Sequence, residues 1–298
     1  MSLIVNNLVK FYGNKKVVDN VSFKVNRGKV YGILGRNGAG KTTTIKMILD
    51  IVNKDGGEVL LNRKKLDVIK MKVGYLPEEK SLYYKNTVKD QLMYFAMLSG
   101  LKSSVAKKRV KYWIERFQIE DTYNKVLDTL SKGNQQKVQI ISTIINDPKI
   151  IIFDEPFSGL DPVNSEILRN IVIEFMNRGK YILFSTHQMS YIEEFCDSIS
   201  ILKKGKQCIE GNLLNIKKSY GRKKLILEIE GNLPDLRIYG VEHIVRHKNF
   251  YEIDIFNENI ANTIQNVLFQ NRVKIINFSL QYKSLHEIFL EMAGDWYI

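Results

Sequence analysis

The chain has 298 residues, of which 44% are hydrophobic and 26% are charged, and this balance is typical of a globular protein with one or two domains. Its formal net charge of +13 favours an anionic partner, such as a nucleotide, a nucleic acid or a membrane surface, without choosing among them. No apolar run approaches the roughly 18 residues that span a bilayer, and no secretory signal is evident. Cys196 and Cys208 form no metal-binding or disulfide pattern. We therefore expect a cytoplasmic chain rather than a membrane-spanning or secreted one.

Alternating apolar residues predict antiparallel strands near the start of the chain. The pattern covers residues 2–9 and Val17–Val25. The continuous apolar run Val30–Leu34 then predicts a buried strand, and Thr44–Leu49 predicts a helix. We therefore expect the antiparallel strands to cover the start of a parallel core.

The segment Gly35–Thr43 joins this buried strand to the helix and matches the pattern G-x-x-x-x-G-K-[ST]. Glycines let successive backbone N–H groups surround phosphates, and the helix N-terminus adds the positive end of its dipole. Lys41 is expected to reach the β- and γ-phosphates, and the Thr42 hydroxyl to bind Mg²⁺. A glycine-rich turn that only caps a helix is the alternative, but the preceding strand and the following helix favour phosphate binding. The predicted nucleotide contacts in this loop are Gly35, Asn37, Gly38, Gly40, Lys41, Thr42 and Thr43.

The middle of the chain changes to helical spacing. Apolar residues recur at helical intervals from Thr87 to about Asp147, which predicts a helical subdomain over about residues 80–147. Strand and helix patterns then alternate from Lys149 to Leu202. The predicted fold is α/β, a P-loop NTPase core with an antiparallel β subdomain and a helical subdomain.

The composition shifts again at the basic stretch Lys217–Lys224. Beyond it, the pattern predicts strands at Leu225–Ile229, Glu242–Val245, Tyr251–Phe256 and Val273–Leu280, and helices at Ile260–Phe269 and Leu285–Met292. No phosphate-binding or catalytic motif occurs there. We therefore divide the chain into an ATP-binding domain at 1–219 and a small α+β accessory domain at 220–298.

Two adjacent carboxylates follow the buried run Ile150–Phe153. A nucleotide-binding core places such residues beside the metal and the γ-phosphate. Asp154 is expected to hold Mg²⁺, and Glu155 to accept a proton from the attacking water. Two solvated acids at a strand end are the alternative, which the phosphate loop upstream disfavours.

A second polar segment, Leu130–Gln136, precedes an amphipathic helix. Ser131 either caps that helix or, together with the Gly133 N–H group and the helix dipole, forms a second anion site. These residues alone leave both interpretations open.

In this order, the motifs resemble those of the nucleotide-binding subunit of ABC transporters over about residues 1–215. Leu130–Asn134 resembles that family's LSGGQ signature, with Lys132 in place of a small residue and Asn134 in place of glutamine. Ser158–Pro162, which contains Asp161, resembles the family's D-loop, and Ser185–His187 resembles the segment with its switch histidine.

The resemblance assigns roles to three more residues. It implies that Tyr12 stacks on adenine, that His187 contacts the γ-phosphate, and that Glu78 meets the metal or the lytic water at a position where the family usually has glutamine. The alternatives are an aromatic ring that only packs, a helix-capping histidine and a solvated surface glutamate. One branch of this family serves exporters of sodium ions, antibiotics or lipids. This chain resembles that branch in the segments Gly74–Glu79 and Leu130–Gln136 and in its small C-terminal domain.

The resemblance also implies a function. It predicts an enzyme that hydrolyses ATP with Mg²⁺, with Lys41, Glu155 and His187 as catalytic residues, in a head-to-tail homodimer that places ATP between the phosphate loop of one copy and the signature of the other. A separate multi-span permease is expected as partner, with the ATPase peripheral on the inner face of the cell membrane. One alternative is a non-transport ATPase of this type that acts on nucleic acid or the ribosome. However, such relatives usually have two domains per chain or a long coiled-coil insertion, and this sequence shows neither feature. No specific nucleic acid is therefore expected as a partner. A regulatory ATPase module is the other alternative.

Overall fold

The computed structural model describes residues 1–79 and 81–293, with side chains described up to residue 290. The strands are β1 (Ser2–Tyr12), β2 (Lys15–Asn26), β3 (Val30–Leu34), β4 (Gly56–Leu61), β5 (Lys64–Lys65), β6 (Val73–Leu76), β7 (Ile150–Asp154), β8 (Tyr181–Thr186), β9 (Ser198–Lys203), β10 (Lys206–Asn212), β11 (Lys224–Glu230), β12 (Val241–Arg246), β13 (Tyr251–Ile255) and β14 (Lys274–Gln281). The helices are α1 (Lys41–Ile48), α2 (Val88–Leu98), α3 (Ser103–Arg116), α4 (Lys132–Ile144), α5 (Pro162–Asn177), α6 (Met189–Phe195), α7 (Leu213–Ser219), α8 (Asn259–Gln270) and α9 (Leu285–Ala293). Residue contacts divide the chain into two units, the first ending at Gly211 and the second starting at Asn212.

The first unit is built on a ten-stranded sheet in the order β5-β4-β1-β2-β10-β9-β3-β8-β7-β6. Strands β1, β2, β4 and β5 pair in antiparallel fashion, whereas β3 pairs in parallel with β8 and β9, and β7 in parallel with β6 and β8. The predicted combination of an antiparallel subdomain with a parallel P-loop core is therefore confirmed.

The parallel strands form the centre of the core. Every residue of β3, β7 and β8 is buried, as expected for apolar strands covered on both faces. Since parallel strands share one direction, their carboxyl ends meet at one edge, where Gly35, Asp154 and Thr186 lie. The sheet thus gathers residues that are far apart in the sequence.

The predicted helical insertion lies between β6 and β7. It contains α2, α3 and α4, whose buried faces include Leu92, Trp113 and Ile141. Its predicted first residue, 80, lies outside the described residues. Among the described residues, no helix combines the length and the apolar character required to cross a bilayer.

The first hairpin extends further than its alternating pattern indicates. Strand β1 continues to Tyr12, which pairs with Lys15 of β2, because the hydrogen-bonded register holds beyond the end of the hydrophobic alternation. Gly13, with φ of +57°, makes the turn that follows, and glycine adopts this left-handed conformation without strain. Tyr12 is thereby placed at the tip of a hairpin.

The second unit has its own sheet and core. Its four strands run in the order β12-β13-β11-β14 and the pairs β11·β13, β11·β14 and β12·β13 are antiparallel. Buried residues Ala261, Ile264 and Leu268 of α8 pack with the sheet residues Leu225 and Ile253. By contacts this unit also includes α7, whose first turn is capped by the Asn212 side chain, so the contact boundary comes earlier in the chain than the predicted limit at 219.

Candidate active site

The phosphate loop curls around the start of α1. Lys41, the first residue of that helix, is 7% exposed, and its Nζ donates hydrogen bonds to the carbonyl oxygens of Gly35 at 2.7 Å and Arg36 at 3.4 Å. Gly40 has a φ of +103°, and a Cβ there would lie 2.7 Å from the Val17 carbonyl oxygen, so both conformation and space require glycine. Of the predicted contact residues, Asn37 and Gly38 are exposed, while Thr42 and Thr43 are half-buried. The loop therefore opens to solvent where a phosphate would enter.

Thr42 and Asp154 meet across the end of the parallel sheet. The Thr42 hydroxyl donates a hydrogen bond to Asp154 Oδ2 at 2.9 Å, and Asp154 is 1% exposed. Burial raises the pKa of Asp154 and the negative charge of Glu155 adds to this effect, while the Ser185 and Thr42 hydroxyls and the Lys41 charge act in the opposite direction.

Two buried oxygens beside this pair make no hydrogen bond of ordinary geometry to the described residues, although the Ser185 hydroxyl lies near enough to Asp154 to lower the pKa of that carboxyl group. They are Asp154 Oδ1 and Ser185 Oγ, and these residues are neighbours in register on β7 and β8. A buried polar atom left unpaired is costly, and hydroxyl and carboxylate oxygens are the ligand types that Mg²⁺ selects. The residues present therefore fit a magnesium ion and its bound water.

Glu155 is held by three hydrogen bonds. The Thr186 hydroxyl donates to its Oε2 at 2.9 Å, while the His187 backbone N–H group at 2.9 Å and His187 Nδ1 at 2.8 Å contact its Oε1. The carboxylate is only 5% exposed, and its backbone φ of +53° lies in the left-handed region that non-glycine residues seldom adopt. Such strain is maintained only where surrounding contacts over-determine it, as at reactive sites.

The structure thus brings Lys41, Thr42, Asp154, Glu155 and His187 to one edge of the sheet. Glu78 follows β6 and is exposed, and within the described part of the chain no hydrogen bond joins it to Thr42 or Asp154. Its metal role remains a prediction.

Tyr12 lies apart from these residues at the hairpin tip. Its ring is 54% exposed, and Lys10 Nζ lies 5.7 Å from the ring centroid. An exposed ring is available for stacking on a base, and the stacking role also remains a prediction.

The residues of the signature segment are not part of this cluster. Ser131 is exposed and caps α4, its hydroxyl accepting a hydrogen bond from the Asn134 N–H group at 3.3 Å, and Gly133 lies in the first turn of that helix. Asp161 is also exposed and caps α5 through Asn164. Among the described residues, no hydrogen bond connects any of these three with the phosphate loop.

The sequence patterns did not indicate the polar side chains that connect α4, which we call the signature helix, to residues beside the site by hydrogen bonds. Gln136 Nε2 donates to the Pro156 carbonyl oxygen at 3.2 Å, and Gln139 Nε2 donates to those of Pro77 at 3.3 Å and Glu79 at 3.1 Å. Both glutamines are buried on a helix whose other buried residues include Val138 and Ile140. Glutamine among buried apolar positions is a signal for such contacts, because buried amides require partners.

Comparisons with known proteins identify the family. Residues 18–158 match the family model described as ABC transporter, and residues 211–293 match the C-terminal domain of ATP-binding proteins like DrrA1-3. The ABC transporter ATP-binding protein YhaQ of Bacillus subtilis (strain 168) is 41% identical over 297 residues, which cover 99% of each chain. The chain belongs to the family of ABC transporter ATP-binding proteins.

Two further relatives support the assignment. The Nod factor export ATP-binding protein I of Burkholderia orbicola (strain AU 1054) is 33% identical over 69% of this chain and 69% of its own. A solved ATP-binding subunit of an ABC transporter superposes with a TM-score of 0.69 at 32% identity, covering 74% of this chain and 93% of that one. As an ABC transporter ATP-binding protein, the chain is an ATPase subunit of a transporter, and the alternative of a nucleic-acid or ribosome ATPase is not supported.

Proposed function

We propose that this ABC transporter subunit hydrolyses ATP with Mg²⁺ at a site shared between two copies of the chain, and that hydrolysis drives a separate permease that exports its cargo. The family membership supports the permease, since an ATP-binding subunit acts on a membrane partner. The name of the Nod factor export relative supports the direction of transport. The subunit would work on the inner face of the membrane that contains the permease.

The arrangement of Thr42, Asp154 and Glu155 carries the catalytic part of this proposal. The Thr42 hydroxyl and the buried Asp154 carboxylate are the groups that would hold Mg²⁺, which would supply charge neutralisation at the phosphates. Lys41 would neutralise the β- and γ-phosphates from the loop. Glu155 accepts hydrogen bonds from Thr186 and His187, so its carboxylate is fixed as an acceptor at the site where a water would attack.

His187 has two chemically distinct ring nitrogens in this arrangement. Nδ1 lies 2.8 Å from Glu155 Oε1, and a hydrogen on Nδ1 would let the ring donate to that oxygen. The imidazole is 57% exposed, which leaves the rest of the ring accessible from solvent. We infer that His187 orients Glu155 and meets the γ-phosphate.

The exposed signature segment supports the shared site. Ser131 and Asp161 face solvent, and α4 offers a helix N-terminus, which is suited to an anion. A head-to-tail pair of chains would bring this segment against the phosphate loop of the other copy and form two complete sites.

Replacing the proposed base tests the function. Glu155→Gln keeps the shape of the side chain but removes its basicity, so ATP binding should persist while turnover falls by about 10²-fold or more. ATP-bound dimers should then accumulate in size-exclusion chromatography with ATP and Mg²⁺. Glu166→Gln, the same change at an exposed position of α5, serves as the control and should leave turnover unchanged. Normal turnover in Glu155→Gln would contradict the proposal.

We further propose that the second unit is an accessory domain without a catalytic role. It has its own buried core, and none of the predicted phosphate or metal residues lies in it. The test uses chains that end after Gly211, at the contact boundary, and after Ser219, at the predicted boundary. ATP affinity close to that of the full chain is expected for both, and loss of ATP binding in a truncated chain that remains folded by circular dichroism would contradict the division.

A further inference from the structure

A basic pocket of about 610 Å³ lies at the amino ends of the parallel strands. It is lined by Arg27, which precedes β3, Lys149, which precedes β7, and Lys180, which precedes β8. Asp154 and the other catalytic residues follow the opposite ends of these strands. Since a strand of five residues spans about 15 Å, this pocket is separate from the ATP site.

The lining of the basic pocket has a large excess of positive charge. Its cationic residues are Arg27, Lys64, Lys65, Lys149, Arg178 and Lys180. Asp67, also in the lining, is already paired with Lys70 at 3.2 Å. Asp147 pairs with Arg178 at 2.9 Å and with Lys180 at 2.6 Å.

The remaining four cations, Arg27, Lys64, Lys65 and Lys149, form no ion pair with a carboxylate in the part of the chain that the structure describes. Lys65 also lowers the pKa of Asp50, but Asp50 is already paired with Lys54 at 2.6 Å. The positive charge of these four residues is therefore not compensated by ion pairs among the described residues of this unit.

The backbone holds these cations in place. Lys64 and Lys65 form β5 and pair with Leu61 and Leu60 of β4. Arg27 Nε donates a hydrogen bond to the Gly179 carbonyl oxygen at 3.1 Å, which fixes one side of its guanidinium group. Like charges that converge on a concave surface repel one another, and a bound anion removes that repulsion.

The basic pocket also has an apolar part. Leu61 and Met71 are half-buried, and Tyr181 is 6% exposed. The volume lies within the roughly 300 to 1,000 Å³ of small-molecule sites. Its cationic rim and apolar wall suit a molecule that combines phosphate groups with a less polar part.

We propose that the basic pocket binds a phosphate-bearing small molecule or headgroup, as a second anion site of the ATPase that is distinct from the phosphate loop. The fork of guanidinium donors matches phosphate oxygens, and the lysines add charge without a strict geometry. A nucleic acid strand fits less well, because it requires an extended groove with aromatic stacking surfaces.

The test uses the full chain with Lys41→Ala, so that phosphate binding at the loop is weakened in every sample. The triple variant Lys64→Gln/Lys65→Gln/Lys149→Gln removes three exposed cations of the basic pocket. The matched control, Lys107→Gln/Lys108→Gln/Lys111→Gln, removes the same charge from exposed positions of α3. Inorganic pyrophosphate and a single-stranded oligonucleotide are each titrated by calorimetry at low and at physiological salt, and vesicles with and without phosphatidic acid are tested by co-sedimentation.

We expect the triple variant to bind the phosphate-bearing probe at least about tenfold more weakly than the control, because three favourable charge contacts are lost. Pocket-dependent binding of pyrophosphate identifies a soluble ligand, and pocket-dependent binding of the phosphatidic acid vesicles alone identifies a lipid headgroup. Equal affinities of the two triple variants, no binding of either probe, or pocket-dependent binding of a single-stranded oligonucleotide alone would overturn the proposal. With Lys41 intact, the pocket variant should hydrolyse ATP at the wild-type rate. A failure of the anion-site proposal is therefore distinguishable from a failure of the proposed ATPase function.

Discussion

The phosphate loop (Gly35–Thr43) and the signature segment (Leu130–Asn134) differ in how many side chains of the same chain surround them. Around the loop, Lys41, Thr42 and Glu155 are buried or half-buried and hydrogen-bonded to neighbouring residues. In the signature segment, Ser131 is exposed and its hydroxyl caps its own helix. Both segments end in a helix N-terminus that suits phosphate, yet only the first is surrounded by catalytic side chains.

The difference is what the proposed head-to-tail pair requires. In that pair, one chain would position the groups that act on the phosphates and the attacking water, and its signature segment would face ATP held by the other chain. Within one chain, Gln136 connects the two regions, because its side chain joins α4 to the carbonyl oxygen of Pro156, the residue after Glu155.

The largest effect that distinguishes the phosphate loop from the signature segment is expected from Gly133→Asp. An acid in the first turn of α4 is compatible with the helix dipole, and a Cβ at Gly133 would contact only the Gly159 carbonyl oxygen, at 3.4 Å. The added charge would repel the phosphates of ATP bound to the partner, so hydrolysis should be nearly abolished while a single chain binds ATP normally. Titration of ATP and a turnover assay measure the two effects. The uncharged Gly133→Ala is the control, and weakened ATP binding in single Gly133→Asp chains would place the segment in the same half as the loop.

A smaller effect is expected at the hairpin tip. If Tyr12 stacks on adenine, Tyr12→Ala should weaken ATP and GTP binding by roughly 1 to 3 kcal/mol, because stacking is available to either purine, whereas Tyr12→Trp should be tolerated. Tyr239→Ala, at a residue 96% exposed in the second unit, serves as the control. An unchanged nucleotide affinity in Tyr12→Ala would show that the ring has no part in binding.

The smallest effect concerns the residue that holds Glu155. Thr186→Val preserves the shape of the side chain but removes its hydrogen bond to Glu155 and the one that it accepts from the Gln188 N–H group, so kcat should fall about tenfold with little change in KM. Thr122→Val is the control for the loss of a buried threonine hydroxyl, since Thr122 is also buried and its hydroxyl donates a hydrogen bond to the Ile119 carbonyl oxygen, away from Glu155. Equal kinetic effects of the two variants would indicate a loss of stability rather than a role in positioning the base.

Local patterns predict much of the fold. The apolar run Val30–Leu34 coincides with β3, and the helical spacing before Asp147 corresponds to α2, α3 and α4. The pattern underestimates β1, because the register with β2 rather than hydrophobic alternation carries that strand to Tyr12.

The motifs place the candidate site but not its supporting contacts. The hydrogen bonds to Glu155 depend on the pairing of Asp154 with Ser185 in adjacent strands. The local periodicity of the sequence does not predict which strands are adjacent. The basic pocket joins Arg27, Lys64 and Lys149, whose separation in the sequence hides their common location at the amino ends of the strands.

A mixing experiment tests the shared site most directly. Chains with Lys41→Ala lack a working phosphate loop, and chains with Gly133→Asp lack a working signature, so each alone should be inactive. When the two are mixed before ATP and Mg²⁺ are added, half of the dimers should contain one of each chain, with both defects in one site and none in the other. We predict that the mixture recovers about a quarter of the wild-type ATPase rate, because random pairing leaves one intact site in half of the dimers. A mixture no more active than the sum of its two components would contradict a site shared between two chains.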